Sequence, residues 1–411
     1  MKRNYFILLF VLFVFNFSKA QFKILFDATK AESAANADWV IDADTHNLSW
    51  SSGPATTNGT ESNPQRYPTP LQSTVTSATL ETYWLGSLSA WGIDMVKKGY
   101  EVETLPYNVA ITYGNTSNVQ DLSNYKVFII DEPNIKFTVA EDSAIKKFVR
   151  NGGGLFLISD HDGSDRNNDG IDSPHVIQAL MDTASAHPFP FGFSVDYVDI
   201  SGTYANVLNS SNDPLLHGVM GSVTEVMWSD GTTFTLKPNY NSTIKGVCYK
   251  SGSSITGTTN CLVAYSSYGS GRVVVMGDSS PADDGTGDPY DNSLYNGWTA
   301  DAGGNHERLI VNATIWLAGV TTSIPEIDES NSIIVNQLTY PNQIKFAVSS
   351  TKNLANSEFY VYDMFGRQVA NFTNLNANDI VINNNKVGKG IFIYKLIVDG
   401  KPMKTGKFAV L

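Results

Sequence analysis

Between Phe22 and Val320, short apolar segments alternate with stretches of helical period, and this alternation narrows the choice of fold more than any other feature. Lys23–Asp27 reads as a first buried strand. From Glu81 to Lys98, Trp84, Leu88, Trp91 and Met95 recur at helical spacing, and Gly99 supplies the stop. Glu101–Leu105 is a short strand and Lys126–Asp131 a second fully buried one. Thr138 caps a helix running to Arg150, with Glu141 completing a capping box. Gly152-Gly153-Gly154 ends that helix before a strand at Leu155–Ser159. Such a series implies right-handed crossovers and an α/β fold, a mostly parallel sheet with helices on both faces. Thr243–Lys250, Asn260–Ser266 and Arg272–Gly277 read as a more antiparallel edge, and a helix at Glu307–Leu317 closes the body.

The two ends differ from this body. Lys2 and Arg3, the apolar run Tyr5 to Phe17, and Ser18-Lys19-Ala20 before Gln21 have the order of a signal peptide over residues 1–20. The run is too short to span a bilayer comfortably, so no transmembrane segment is expected in the mature chain. Residues 321–332, with Pro325 and several acids, read as a linker. Residues 333–411 show short strands and turns without helical period, the pattern of a small all-β sandwich.

Asp and Glu outnumber Lys and Arg by 40 to 28, for a formal net charge of −12. With no basic cluster to meet phosphates, nucleic acid is excluded as a partner. Cys248 and Cys261 are the two cysteines, and in an exported chain a disulfide is the first expectation. The Gly/Ser/Thr-rich stretch Ser251 to Thr259 reads as a hairpin loop that would set them opposite one another.

In the C-terminal segment, Tyr340-Pro341-Asn342, Val361-Tyr362-Asp363-Met364-Phe365-Gly366-Arg367, Gly390-Ile391-Phe392-Ile393-Tyr394 and Lys404-Thr405-Gly406-Lys407-Phe408 follow in register. Together they resemble the type A sorting domain of the type IX secretion system, with Gln343 standing where that family has a second proline. The resemblance implies type IX machinery as a partner and passage through the periplasm to the cell surface or medium. It also implies removal of residues 333–411.

The body, over residues 21–320, is similar to the class I glutamine-amidotransferase-like superfamily, which is flavodoxin-like. The likeness rests on Phe148 to His161 (FVRNGGGLFLISDH) and Gly269 to Asp278 (GSGRVVVMGD). Amidotransferases carry a nucleophilic Cys on a sharp strand-to-helix turn. Neither Cys248 nor Cys261 is so placed, so glutamine hydrolysis by that mechanism is not expected.

Acids end four of the strands: Asp27, Asp131 with Glu132, Asp160 beside His161, and Asp278. In an open parallel sheet, ligands bind beyond the carboxyl ends of the strands. Each acid alone reads as a turn cap, whereas together they read as a site, because clustered carboxylates need a cation or shared protons. The metal candidates are Asp27, Asp160, Asp165, Asn167, Asp169 and Asp278; Asp165 to Gly170 matches the first half of a calcium loop but lacks its closing Glu. Calcium or another divalent cation is the expected ion, without an organic cofactor. A second acidic loop, with Asp283, Asp284 and Asp288, follows Asp278.

The catalytic candidates are His161, His306, Asp160, Asp278 and Glu307, as general acid–base groups or metal ligands. His46, His175, His187 and His217 have no comparable context and read as structural. Gly277-Asp278-Ser279-Ser280 matches the start of one esterase block, but Gly303 stands where that class has its Asp. Loop aromatics, among them Trp39, Trp50, Tyr67, Tyr83, Tyr290, Tyr295 and Trp298, would suit sugar rings. Two functions fit: an extracellular hydrolase acting on a polymer or glycan, or a non-catalytic surface module binding glycan or another ligand.

Overall fold

The computed structural model describes residues 22–34, 37–42, 72–106, 109–181, 188–287, 294–299, 301–319, 333–340, 343–350, 354–363, 366–375 and 380–410. The segments expected to be a signal peptide (1–20) and a linker (321–332), with Pro341-Asn342 and the aromatics Trp50, Tyr67 and Tyr290, lie outside them. The chain divides into two compact units, residues 1–320 and 321–411.

The first unit is a sheet-rich α/β structure on one ten-stranded mixed sheet. Its principal strands are β1 (Lys23–Asp27), β2 (Glu101–Leu105), β3 (Val127–Asp131), β4 (Gly154–Ile158), β5 (Phe193–Tyr204), β6 (Val226–Leu236), β7 (Lys245–Tyr249), β8 (Cys261–Tyr268) and β9 (Gly271–Met276). The order is β2-β1-β3-β4-β9-β8-β6-β5, with β7 beside β8. From β2 to β9 the pairing is parallel, and from β9 onward it is antiparallel. The sheet is therefore mixed rather than mostly parallel. Segment β9, expected at an antiparallel edge, instead lies centrally and pairs in parallel with β4.

Strict alternation along the parallel strands feeds two cores. Ile24, Phe26, Val127, Ile129, Phe156, Ile158, Val274 and Met276 face α1 (Ser89–Lys97) and α4 (Asn305–Leu317). Leu25, Phe128, Ile130, Leu155, Leu157, Val273 and Val275 face α2 (Val139–Arg150) and α3 (Ser173–Met181). Helices thus cover both faces, which is why these strands read as continuous apolar runs. The Thr138–Glu141 capping box on α2 is present. Helix α1 begins later than its apolar spacing suggests. The backbone N–H groups of Ser87 and Leu88 donate to Asp38 and Val40 carbonyls, and a side chain at Gly86 would overlap Val40. That contact holds residues 86–88 out of the helix.

The expected Cys248–Cys261 bridge is not formed; both are free, buried thiols. The β7–β8 register sets Tyr249, not Cys248, opposite Cys261, with irregularities on either side of Cys248. Cys248 packs into the α1/α4 core and Cys261 into the α2/α3 core. A one-residue offset in register reverses the face, and no disulfide closes across a sheet.

The second unit has two antiparallel sheets, one of three strands and one of four. Ile344, Phe346, Ile380 and Ile382 from the first share a core with Phe359, Val361, Phe392, Leu396 and Phe408 from the second. Among the described residues, no helix is long and apolar enough to cross a membrane.

Candidate functional site

Strands β1, β3, β4 and β9 end on the same rim of the parallel half of the sheet. A cavity of about 150 Å³ opens there, lined by Trp39, Asp160, His161, Arg166, Asp230 and Ser279, with Asp283 and Tyr295 completing one wall.

Glu132 organises this wall. It follows β3 with a positive φ of 48°, a strained conformation for a non-glycine residue, and is wholly buried. Trp39 Nε1 and Ser279 Oγ donate to its Oε2 at 2.7 and 2.8 Å, and Arg166 Nε donates to its Oε1 at 2.7 Å. Arg166 also donates through its terminal nitrogen to Asp160 Oδ2 at 2.6 Å. One guanidinium therefore bridges the two carboxylates, and both raise its pKa, Glu132 most. The loop after β4 that delivers Arg166 is pinned by the Arg166 amide on Asn134 Oδ1.

Acid is in excess at this rim. Asp131 is 2% exposed and both of its carboxylate oxygens lack a hydrogen-bond partner. Burial, then Glu132, Asp278 and Asp283, holds its pKa well above the carboxylate range. Asp160 is likewise raised well above that range by burial and Glu132, with Arg166 opposing. Asp278 is pushed up to about 7 by burial, against the backbone N–H groups of Ser280 and Ser229 that bind it at 2.8 and 2.6 Å. Asp27 is raised by burial to about 6, with Lys30 opposing, and Glu32 is raised well above the carboxylate range by its own burial and then by Asp27.

The structure separates the expected catalytic residues. His161 lines the cavity with Asp160, its Nε2 3.9 Å from Asp160 Oδ2. Its Nδ1 lies 2.9 Å from the Asp162 carbonyl oxygen. A carbonyl only accepts, so Nδ1 carries a proton, and in the neutral ring Nε2 is then the nitrogen with the lone pair. His306 lies elsewhere and is wholly buried: Nε2 accepts the Met227 amide at 2.8 Å and Nδ1 donates to Gly297 O at 2.7 Å. Both of its nitrogens serve packing. Glu307 does not line the cavity; its neighbours are Glu81, Asp94, Lys98 and Arg308. Asp278 spends both oxygens on backbone amides behind the wall.

The metal candidates also divide. Asp165 and Asp169 accept amides of their own loop, from Asp169, Gly170 and Ile171. Among the described residues, the one group whose ligand atoms all lie within 4.8 Å of one another is Asp162, Asp172 and His175. The strand-end carboxylates do not converge that closely. In that group, Asp172 Oδ1 already contacts His175 Nδ1 at 2.5 Å. Sequence reasoning passed over Arg166, a lone cation inside an acidic loop, and Asp230, which lies within the register irregularity of β6 between Trp228 and Gly231. The lone Arg is a readable signal; a bulge is not.

No family model matches the chain, and no curated protein does. Among solved structures, the mmIFT52 N-terminal domain is 15% identical, with 72% of this chain and 97% of that one covered at a TM-score of 0.41. A ThuA-like protein from Parabacteroides merdae is 14% identical, covering 56% and 84% at 0.28. A β-galactosidase from Bacillus circulans sp. alkalophilus is 13% identical, covering 69% of this chain and 34% of the enzyme at 0.30. At this distance none of them speaks to activity.

Proposed function

We propose that the body is an extracellular hydrolase acting on a polymer or glycan, on a flavodoxin-like, amidotransferase-like scaffold. The observation that carries this reading is the His161–Asp160 pair facing one cavity at the carboxyl ends of parallel strands. The parallel order β2-β1-β3-β4-β9 has its switch point between β1 and β3, where such sheets bind ligands. In this reading Nε2 of His161 takes a proton from water, and Asp160, whose pKa is raised by burial and by Glu132, is the group that gives one to the leaving oxygen.

The purified mature protein, assayed for reducing ends on a panel of polysaccharides, should turn over at least one of them. His161→Gln and Asp160→Asn should each lower kcat about 100-fold or more with an unchanged far-UV spectrum. Ligand binding without turnover by the unaltered protein would favour the binding module. The export reading stands on the terminal motifs: we propose cleavage before Gln21, type IX passage, and loss of the sorting unit. Intact-mass measurement of the extracellular product should then show neither Met1 nor Leu411.

A further inference from the structure

The walls of the cavity are acidic. Asp160, Asp230 and Asp283 line it, Asp199 Oδ2 stands 4.0 Å from His161 Nδ1, and Asp131, Glu132 and Asp278 lie behind. Among the described lining residues Arg166 is the sole permanent cation, and its guanidinium is already divided between Glu132 and Asp160. An incoming anion would meet carboxylates with no free guanidinium to receive it. Asp230 is exposed at the mouth, where the β6 irregularities re-aim the strand; Ser201 Oγ donates to its Oδ1 at 2.6 Å. Its other oxygen is the natural contact for an arriving cation. A metal ion is disfavoured because the rim carboxylates do not converge to coordination distance. An ammonium on a larger ligand has no such requirement, since it donates three hydrogen bonds and can reach separate carboxylates directly or through water.

We propose that this cleft recognises a protonated amine on a sugar ring, so that its substrate class is an amino sugar with a free amino group. The cavity volume admits about one ring, and Trp39 and Tyr295 supply aromatic wall. This rests on the cleft being the glycan site, and it adds the charge that the site selects.

Titration calorimetry of the mature full-length protein with glucosamine, glucose and glucuronate tests the proposal. Glucosamine should bind at least 10-fold tighter than glucose, with glucuronate weakest. Asp230→Asn should bring glucosamine to within about 3-fold of glucose. Equal affinities, or a preference for glucuronate, would overturn it; so would calcium or zinc displacing glucosamine from the unaltered protein but not from Asp230→Asn. Selective glucosamine binding without polymer turnover would sink the hydrolase reading and leave this one standing. Ethanolamine binding as tightly as glucosamine would remove the sugar from the proposal.

Discussion

Glu132 holds three side chains of the cavity wall on two oxygens, and it does so from a backbone conformation that costs roughly 1–3 kcal/mol. The burial of the whole cluster sustains that strain. Truncating it would leave the Trp39 indole N–H, the Ser279 hydroxyl and half of the Arg166 guanidinium without their acceptor. Glu132→Ala should therefore destabilise the body by about 3–5 kcal/mol, as breaking a buried ion pair does. Chemical denaturation should show this, with Glu132→Gln falling between the two. A change below 1 kcal/mol would mean that the wall does not depend on Glu132. Asp131, beside it, is the opposite kind of residue: buried, unpartnered, and tolerable only while protonated.

Strand register decides the thiol chemistry. Because Cys248 and Cys261 belong to different cores, labelling the unfolded, unreduced protein should find two free thiols; none would restore the bridge. Their separation by sequence suggested a hairpin, and β7 and β8 are indeed an antiparallel pair. Which face each sulfur takes depends on irregularities within β7 that no period-2 pattern reveals. The same contrast runs through the site. Apolar runs closed by Asp27, Asp131, Asp160 and Asp278 announced strands and their acidic ends, since a strand buried on both faces has few other compositions. Neighbouring strands were not legible. That Asp278 ends β9 beside β4 follows from a parallel pairing across the long β5–β8 insertion. His306 looked like His161 on paper, a His beside an acid near an element boundary. Only the Met227 amide and the Gly297 carbonyl show that it is packing.

For the molecule as a whole, the buried acids set the sign of its pH response. Asp27, Asp278 and Asp284 have folded-state pKa values raised to about 6, 7 and 7, above those of the unfolded chain. A raised acid contributes stability that is fully present below its unfolded pKa, near 4, and lost as pH rises through the folded value. Asp121, lowered to about 2, acts oppositely, and its contribution fades only in strong acid. Between pH 5 and 8 the raised group governs, so stability should fall by on the order of 2 kcal/mol per carboxyl. The melting temperature of the body should drop by several degrees over that interval, and Asp131→Asn should flatten the slope. A melting temperature that climbs from pH 5 to 8 would contradict this assignment of protons.

The central position of β9 also governs when the body can fold. Strand β4 pairs with β3 on one side as soon as residue 158 has been made, but its other edge waits for residues 271–276. Throughout synthesis of the intervening chain, that apolar edge has no partner and is open to strands of other chains. The body therefore closes late and as one act, and a chain interrupted anywhere between β4 and β9 is an aggregation hazard rather than a smaller domain.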